Sequence, residues 1–314
     1  MNIRFASTRS LLMGAVLVGL TCAALQAQRG GGSPAAPRAS GTSAAPNVPT
    51  GTSAALQSDF RPNRFMNFVF ANPMPGKDAE FDDWYGNQHV PDLLEHPGYY
   101  AAQRFRLVEP GSFSHRRLVI WHIEGDRELS SRYVGEALQT GKTRRSDAFN
   151  WTPGAGLGGT YEPISEHITN PTGGGQLADG KKRYVYFEFV NPTAGKENLF
   201  SAQADRRLRD VVTVPGWVGG QRYKNVAPPP PPANAAATPA AGAAPAAAAP
   251  RLPRYLTIYD VETADPKAAL TTLTEKEKTG KVRVNGTVDA STQAFFLEPI
   301  SPYIRKEDWH PGLK

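Results

Sequence analysis

The chain has 314 residues, a formal net charge of +6 and a single cysteine, Cys22. This length allows one large domain or two modest ones. The basic residues form short clusters rather than a long stripe interleaved with aromatic residues, so the charge gives no support to nucleic-acid binding. Cys22 lies in the N-terminal segment described next, so the rest of the chain has no cysteine. It therefore cannot form a disulfide, provide a thiol nucleophile or bind zinc through cysteine.

Residues 1–27 have the pattern of a secretory signal peptide. Arg4 and Arg9 precede a mostly small and apolar run at residues 11–25, and Ala27 provides a small residue at the cleavage position. The run is short for a membrane span, which needs about 20 residues. We therefore expect an exported protein, in the periplasm or outside the cell, with no membrane association beyond export. An uncleaved anchor is the alternative.

Two segments have the composition of disordered chain. Residues 28–57 are rich in Ala, Gly, Ser, Pro and Thr, and residues 227–250 contain five consecutive prolines followed by Ala and Pro. Such segments cannot bury enough apolar surface to offset the entropy lost on ordering. We predict that residues 28–57 form a disordered linker, that residues 227–250 form a disordered loop and that residues 306–314 form a tail.

Residues 64–301 contain a repeat. The recurring blocks, in the same order, are RFMNFVFANP at 64–73 and RYVYFEFVNP at 183–192, PG at 97–98 and 215–216, LVIWHIE at 118–124 and LTIYDVE at 256–262, TGK at 140–142 and 279–281, and EPIS at 162–165 and 298–301. We infer two copies, residues 58–169 and 181–305, joined by a Gly-rich connection at 170–180. The segment 227–250 then falls inside the second copy, as an insertion in a hairpin loop.

Each copy predicts the element order β-α-β-β-α-β. The elements expected in the first copy are a strand that stops at Asn72-Pro73, a helix at 78–95 that Pro91 kinks or divides, strands at 99–108 and 117–124, a helix at 127–138 and a strand at 160–164. This is the order of a ferredoxin-like unit, whose sheet has both helices on one face and leaves the other face uncovered. The predicted fold is therefore α+β, with two tandem ferredoxin-like βαββαβ units packed sheet to sheet as an intrachain α/β barrel.

The first predicted helix carries a specific resemblance. The run WYGNQHVPDLL at 84–94, followed by Pro97-Gly98 and Arg104-Phe105, resembles the dimeric α/β-barrel superfamily, and most of all its EthD-like and stress-responsive branches. The resemblance covers nearly all of residues 64–305. It implies a barrel fold, and relatives that include cofactor-free cyclases, decarboxylases, dehydratases, lactone isomerases and quinone-forming monooxygenases. Other relatives bind or degrade haem, and many have no known reaction.

His89 is the candidate general acid/base, because an ordinary imidazole both takes and gives a proton near neutral pH. Tyr85 lies four residues earlier on the same helix and can share its face. In several enzymes of the superfamily such a pair acts on an aromatic or polyketide-like substrate between helix and sheet. Residues 202–209 of the second copy lack Trp, Tyr and His, so the motif predicts one site per chain. The alternative is a structural histidine beside Pro91.

Four more residues are assigned to substrate binding: Trp84, Arg104, His122 and Glu188. His122 and Glu188 fall in strands that are central in a ferredoxin-like sheet, where a polar or charged side chain is costly unless it is paired or faces a cavity. A pocket lining is one interpretation for both residues. A satisfied structural pair, or simple exposure, is the other.

Two hypotheses for function remain open at this point. The first is a cofactor-independent enzyme that uses His-based acid/base chemistry on a small aromatic, lactone or polyketide-like compound. The second is a non-catalytic module that binds a hydrophobic ligand or haem, or contacts a protein through its Pro-rich loop. No metal is predicted, because the histidines have no metal-ligand spacing. We expect a monomer with a pseudo-dimeric barrel, with further dimerisation left open.

Overall fold

The computed structural model describes residues 64–152, 155–170, 177–226 and 252–308. The predicted signal peptide, the 28–57 linker and the 227–250 insertion lie outside the described residues. We call residues 64–170 the first half and residues 177–308 the second half.

The described first half contains five strands and three short α-helices. In chain order they are β1 (Arg64–Ala71), α1 (Asp78–Trp84), a π-helical turn (Tyr85–His89), α2 (Val90–Leu94), β2 (Tyr99–Leu107), β3 (Arg117–Glu124), α3 (Arg127–Thr140), β4 (Leu157–Pro163) and β5 (Ile168–Thr169). The helix predicted at 78–95 is thus divided, but the division lies at the π-helical turn, just before Pro91. Strand β4 begins three residues earlier than predicted.

The described second half contains five strands and two α-helices. They are β6 (Lys182–Val190), α4 (Glu197–Val211), β7 (Trp217–Asn225), β8 (Tyr255–Thr263), α5 (Pro266–Lys278), β9 (Gln293–Pro299) and β10 (Ile304–Arg305), followed by a 3-10 turn at Lys306–Asp308. Helices α3 and α5 begin alike, because the side chains of Asp126 and Asp265 accept hydrogen bonds from the backbone N–H groups of Leu129 and Lys267.

Eight of the described strands form one closed antiparallel ring. The order is β2-β3-β1-β4-β7-β8-β6-β9, and β9 pairs with β2 to complete the circle. The first half contributes β2-β3-β1-β4 and the second half contributes β7-β8-β6-β9. In both halves the ring strands therefore lie in the order second, third, first and fourth along the chain. The two groups meet where β4 pairs with β7 and where β9 pairs with β2. The α+β class and the closed barrel are therefore confirmed.

Two short strands cross from one half to the other. After β4, the chain continues as β5, which pairs with β7 of the second half at Ile168↔Gly220. After β9, the chain continues as β10, which pairs with β2 of the first half at Ile304↔Ala102. Each half therefore extends the sheet of the other beyond the ring contacts.

Alternate residues of the strands face the barrel interior and the helices, as period-two geometry requires. Phe68 and Phe70 point inward with Phe187 and Phe189, and the rings of Phe68 and Phe187 are 5.6 Å apart at 87°, an edge-to-face contact. The neighbouring residues of each strand point outward, to the helices. The described barrel is thus filled by side chains, and the space between sheet and helices is where a ligand site must be sought.

Gly158 and Gly159 lie in β4, where Gly158 pairs with Val69; a Cβ on Gly158 would approach the Phe68 carbonyl to 3.2 Å. These glycines therefore permit close strand pairing. None of the described helices combines the length and the hydropathy that crossing a membrane requires.

Candidate functional site

The π-helical turn places His89 and Tyr85 in direct contact. The Val90 N–H donates to the Tyr85 carbonyl, five residues back rather than four. The ring of His89 lies 4.8 Å from that of Tyr85 and stacks on Trp84 at 4.6 Å, with an interplanar angle of 27°. The chain has one residue more between Lys77 and Pro97 than between Lys196 and Pro215, and the wider turn accommodates the extra residue.

This aromatic cluster is buried. His89, Tyr85 and Trp84 have little exposure, and burial lowers the pKa of His89 to about 4, so the imidazole is neutral at pH 7. Its Nδ1 atom has no hydrogen-bond partner among the described residues. Burial likewise raises the pKa of Tyr85. The pair is held as a neutral histidine next to a neutral phenol.

Further aromatic rings close the space around this cluster. Phe149 stacks on Phe81 at 6.0 Å, and Trp151 packs on Phe149 at 4.4 Å and on Trp84 at 6.3 Å. The cavity beside Val69 and Phe149 is only about 20 Å³, which is room for about one water. At this cluster the helices and the sheet of the first half are therefore in close contact.

Arg104 lies under the same helix and has a structural contact set. Its Nη2 atom donates to Asp82 Oδ1 at 2.6 Å and Nη1 donates to the Asp82 carbonyl at 2.8 Å. Its guanidinium lies 5.5 Å from the centre of the Tyr85 ring. In the second half Arg222 reaches Asp205 and the Ser201 carbonyl in the same way. Both arginines tie the first helix of their half to the sheet.

His122 does not converge with His89 and Tyr85, because it faces the opposite side of β3. Its neighbour Trp121 faces the helix and lies 6.2 Å from the His89 ring, whereas His122 contacts Tyr303 at 5.2 Å and Tyr100. Burial lowers the pKa of His122 to about 3, and its Nε2 atom has no partner among the described residues. The structure thus separates these predicted site residues.

A cavity of about 480 Å³ lies in the second half, between the sheet and helices α4 and α5. The aromatic residues Tyr186, Tyr259 and Phe200 form part of its wall, and Glu188 projects into it from β6. The charge predicted to be costly in a central strand therefore faces this cavity. It does not meet His89, Tyr85, Trp84, Arg104 or His122, which all belong to the first half.

An ion network crosses the cavity. Arg207 on α4 donates to Glu188 through Nε at 3.4 Å and Nη2 at 3.1 Å, and to Glu277 on α5 through Nη1 at 2.5 Å. Nη1 also donates to the Arg283 carbonyl at 3.1 Å. Burial alone would lower the pKa of Arg207, but the adjacent carboxylates raise it above its ordinary value. Arg207 therefore remains charged.

The aligned repeat accounts for the position of the cavity. It places Ala204, Val288 and Ala290 of the second half at the positions of three aromatic residues of the first half: Tyr85, Phe149 and Trp151. Phe149 forms an isolated β-bridge with Pro73, and Val288 forms one with Pro192, the equivalent proline of the second half. The matching bridges support this alignment. The small side chains leave open the volume that aromatic rings occupy in the first half. The first half has one extra residue in the π-helical turn, so the alignment shifts by one residue after it. With that shift, Arg207 aligns with His89.

Sequence patterns alone do not identify Arg207, Glu277, Tyr186 and Tyr259 as lining residues of this cavity. One signal pointed to them: Glu188 replaces the apolar Val69 in an otherwise apolar strand, and a buried carboxylate requires a cation nearby. The sequences of α4 and α5 do not show which of their charged residues interact with Glu188, because both helices contain many charged residues.

The lining of this cavity does not suit haem, and the described residues show no metal cluster. Within them, no three His, Cys, Asp or Glu side chains are arranged to hold a metal. The cavity lining contains no His, Cys or Met to ligate a haem iron. Its two tyrosines could ligate iron only as phenolates, and burial raises the pKa of both Tyr186 and Tyr259. The carboxylates of the lining would also face the anionic propionates of a haem. These residues therefore do not fit haem.

No family model matches the chain, and no curated protein does. Several solved structures are similar. An anthrone oxidase-like protein is 15% identical with a TM-score of 0.49, covering 81% of this chain and 98% of its own. A candidate monooxygenase from Lactobacillus acidophilus is 9% identical with a TM-score of 0.43, covering 78% and 99%. A chlorite dismutase from Candidatus Nitrospira defluvii is 12% identical with a TM-score of 0.39, covering 78% and 94%.

Proposed function

We propose that this chain is an exported, cofactor-independent, small-molecule-binding protein of the dimeric α/β-barrel superfamily, of EthD-like or stress-responsive type, whose ligand occupies the cavity of the second half. The cavity is the observation that carries the proposal. Its volume of about 480 Å³ falls in the range of about 300–1,000 Å³ that small-molecule sites occupy. It also combines aromatic walls with a few convergent polar groups, as such sites do.

The proposal includes two fused ferredoxin-like copies. The shared strand order of the halves supports it, as do the matching bridges Pro73↔Phe149 and Pro192↔Val288 and the reciprocal crossing of β5 and β10. In this interpretation one copy is packed solid with aromatic residues and the other is open. One chain then has one ligand site, and the site lies in the copy that lacks the aromatic-His helix.

The ion network supports a binding role over a purely architectural one. A buried ion pair seldom stabilises a fold more than well-packed apolar residues do, because desolvation of the ions offsets their attraction. The first half builds the corresponding region with Val69 and with Leu138, the residue that aligns with Glu277. Charges at these places in the second half are therefore better explained by a ligand than by stability.

Filling the cavity tests the proposal. Ala204→Tyr introduces the residue that the first half carries at the aligned position, and Ala202→Tyr makes the same change on the exposed side of the same helix. We would record saturation-transfer NMR with phenol, indole and benzamide as probes. Transfer to at least one probe is expected with the wild type and with Ala202→Tyr, and its loss with Ala204→Tyr. No transfer with the wild type, or undiminished transfer with Ala204→Tyr, would refute the proposal.

A second candidate function is acid/base catalysis by His89 with Tyr85. The π-helical turn favours it, since such turns occur often at functional sites, and so does the buried Nδ1 atom without a described partner. It requires that a small molecule reach the ring. Treatment with diethyl pyrocarbonate, followed by peptide mass spectrometry, compares His89 with the partly exposed His96 of the same chain. Modification of both at similar rates supports catalysis, and modification of His96 alone excludes it.

A further inference from the structure

The charge of the cavity lining is opposite to that of the whole chain. Three carboxylates, those of Glu188, Glu277 and Asp289, line the space with one guanidinium, that of Arg207. The lining therefore carries a net negative formal charge in a protein whose total is +6. Walls of low dielectric strengthen the field inside such a space.

Arg207 has little capacity left for an anionic ligand. All three of its side-chain nitrogens already donate, to Glu188, to Glu277 and to the Arg283 carbonyl. A carboxylate, in contrast, offers about four lone-pair positions, and Arg207 takes only some of those of Glu188 and Glu277. Donors brought by a ligand can therefore be accepted, whereas its acceptors find four of the five N–H groups of Arg207 already in use.

The aromatic wall suits a flat cation. The rings of Tyr186 and Tyr259 lie 6.4 Å apart at 40°, side by side on the sheet, and Phe200 faces the same space from α4. Tyr259 is 1% exposed and lines the cavity. Aromatic faces attract cations within about 6 Å of the ring centre. The oxygen of the Tyr259 hydroxyl can accept a hydrogen bond beside them.

We propose that the cavity takes a planar aromatic cation, such as an aryl amidinium or guanidinium. This inference rests on the proposed function. The positive group lies against Glu277 and Glu188, the ring packs on Tyr186 and Tyr259, and the N–H groups of the ligand donate to the carboxylates and to the Tyr259 hydroxyl. Anionic aromatic compounds are excluded by the same carboxylates.

Three probes of one shape and different charge test the inference: benzamidine, benzamide and benzoate. Saturation-transfer titrations are expected to give a Kd for benzamidine about tenfold below that for benzamide, with no binding of benzoate. Raising the salt concentration should weaken benzamidine binding and leave benzamide unchanged. Binding of benzoate as tight as that of benzamidine would overturn the inference.

A matched pair of variants locates the charge. Glu277→Gln should weaken benzamidine binding about five- to tenfold and leave benzamide unchanged, whereas Glu275→Gln, an exposed glutamate on the same helix, should change neither. Equal losses in the two variants would overturn the inference. If Glu277→Gln does not fold, the salt dependence with the wild type decides the question.

The two proposals fail in different ways. If benzamide or benzoate binds as well as benzamidine, and Ala204→Tyr abolishes that binding, the cavity is the site and the preference for a cation is wrong. If Ala204→Tyr leaves binding of all three probes unchanged, the ligand site itself has been misplaced and the proposed function fails with it.

Discussion

Replacing Arg207 with methionine should destabilise the second half more than a typical single substitution does. Arg207 is 8% exposed and bridges Glu188 on the sheet and Glu277 on α5. Removing one partner of a buried ion pair costs about 3–5 kcal/mol, because the remaining charge stays buried. The two glutamate side chains are 17% and 22% exposed, so water screens them in part, and we expect the lower value, about 3 kcal/mol.

Urea unfolding measures this loss. With a slope of about 2–3 kcal/mol per molar urea, a loss of about 3 kcal/mol lowers the midpoint by about 1 M or more. Arg206→Met makes the same change at the exposed neighbouring position. It should leave the free energy of unfolding within about 0.5 kcal/mol of the wild-type value. A loss below about 1 kcal/mol for Arg207→Met would show that the network is solvated rather than buried.

A triple variant separates stability from function. Combining Arg207→Met with Glu188→Val and Glu277→Leu removes all three charges and places at the two acidic positions the residues that the first half carries, Val69 and Leu138. Replacing a whole buried ion network by apolar residues is often neutral or stabilising. We expect stability within about 1 kcal/mol of the wild type, or above it, with loss of benzamidine binding. A triple variant as unstable as Arg207→Met would refute the reasoning.

Three further predictions follow. Burial lowers the pKa of His89 to about 4 and that of His122 to about 3, both below the ordinary value of 6.5, so the unfolded chain binds protons first as pH falls. The free energy of unfolding should therefore decrease from about pH 6.5 down to about pH 3, and His122→Gln should flatten that dependence in urea titrations. N-terminal sequencing of exported protein should begin at Gln28; a chain that begins at Met1 would contradict cleavage. Titration with hemin should give no shifted Soret band, whereas a saturable shift would contradict the misfit of the cavity lining.

The sequence predicts β1, β2 and β3 well, because their signals are local, but it does not predict the two-residue strands β5 and β10. The alternation of Phe68 and Phe70 with outward residues, and the stop at Asn72-Pro73, are properties of one segment. The first helix was predicted with a division near Pro91, and the structure divides it at the π-helical turn. Its five-residue hydrogen bond depends on packing against the sheet, which no local pattern encodes.

The open pocket could not be predicted in the same way. It arises from a difference between aligned positions, as at Tyr85 and Ala204 or Trp151 and Ala290, and a small side chain alone does not tell a cavity from a closer approach of the backbone. The aromatic-rich run at 84–94 of the first half instead predicts a site at His89. Glu188 was recognised as unusual from its strand alone, but its partners on α4 and α5 required the fold.

The reciprocal crossing of β5 and β10 makes the two halves dependent on each other for order. Opening either half uncovers strand edges of the other, so the described barrel should melt as one cooperative unit rather than in two steps. A ligand that binds the folded protein alone stabilises every element whose opening requires global unfolding. A molecule bound near Tyr259 will therefore slow hydrogen exchange at Phe68, in the half that it does not touch.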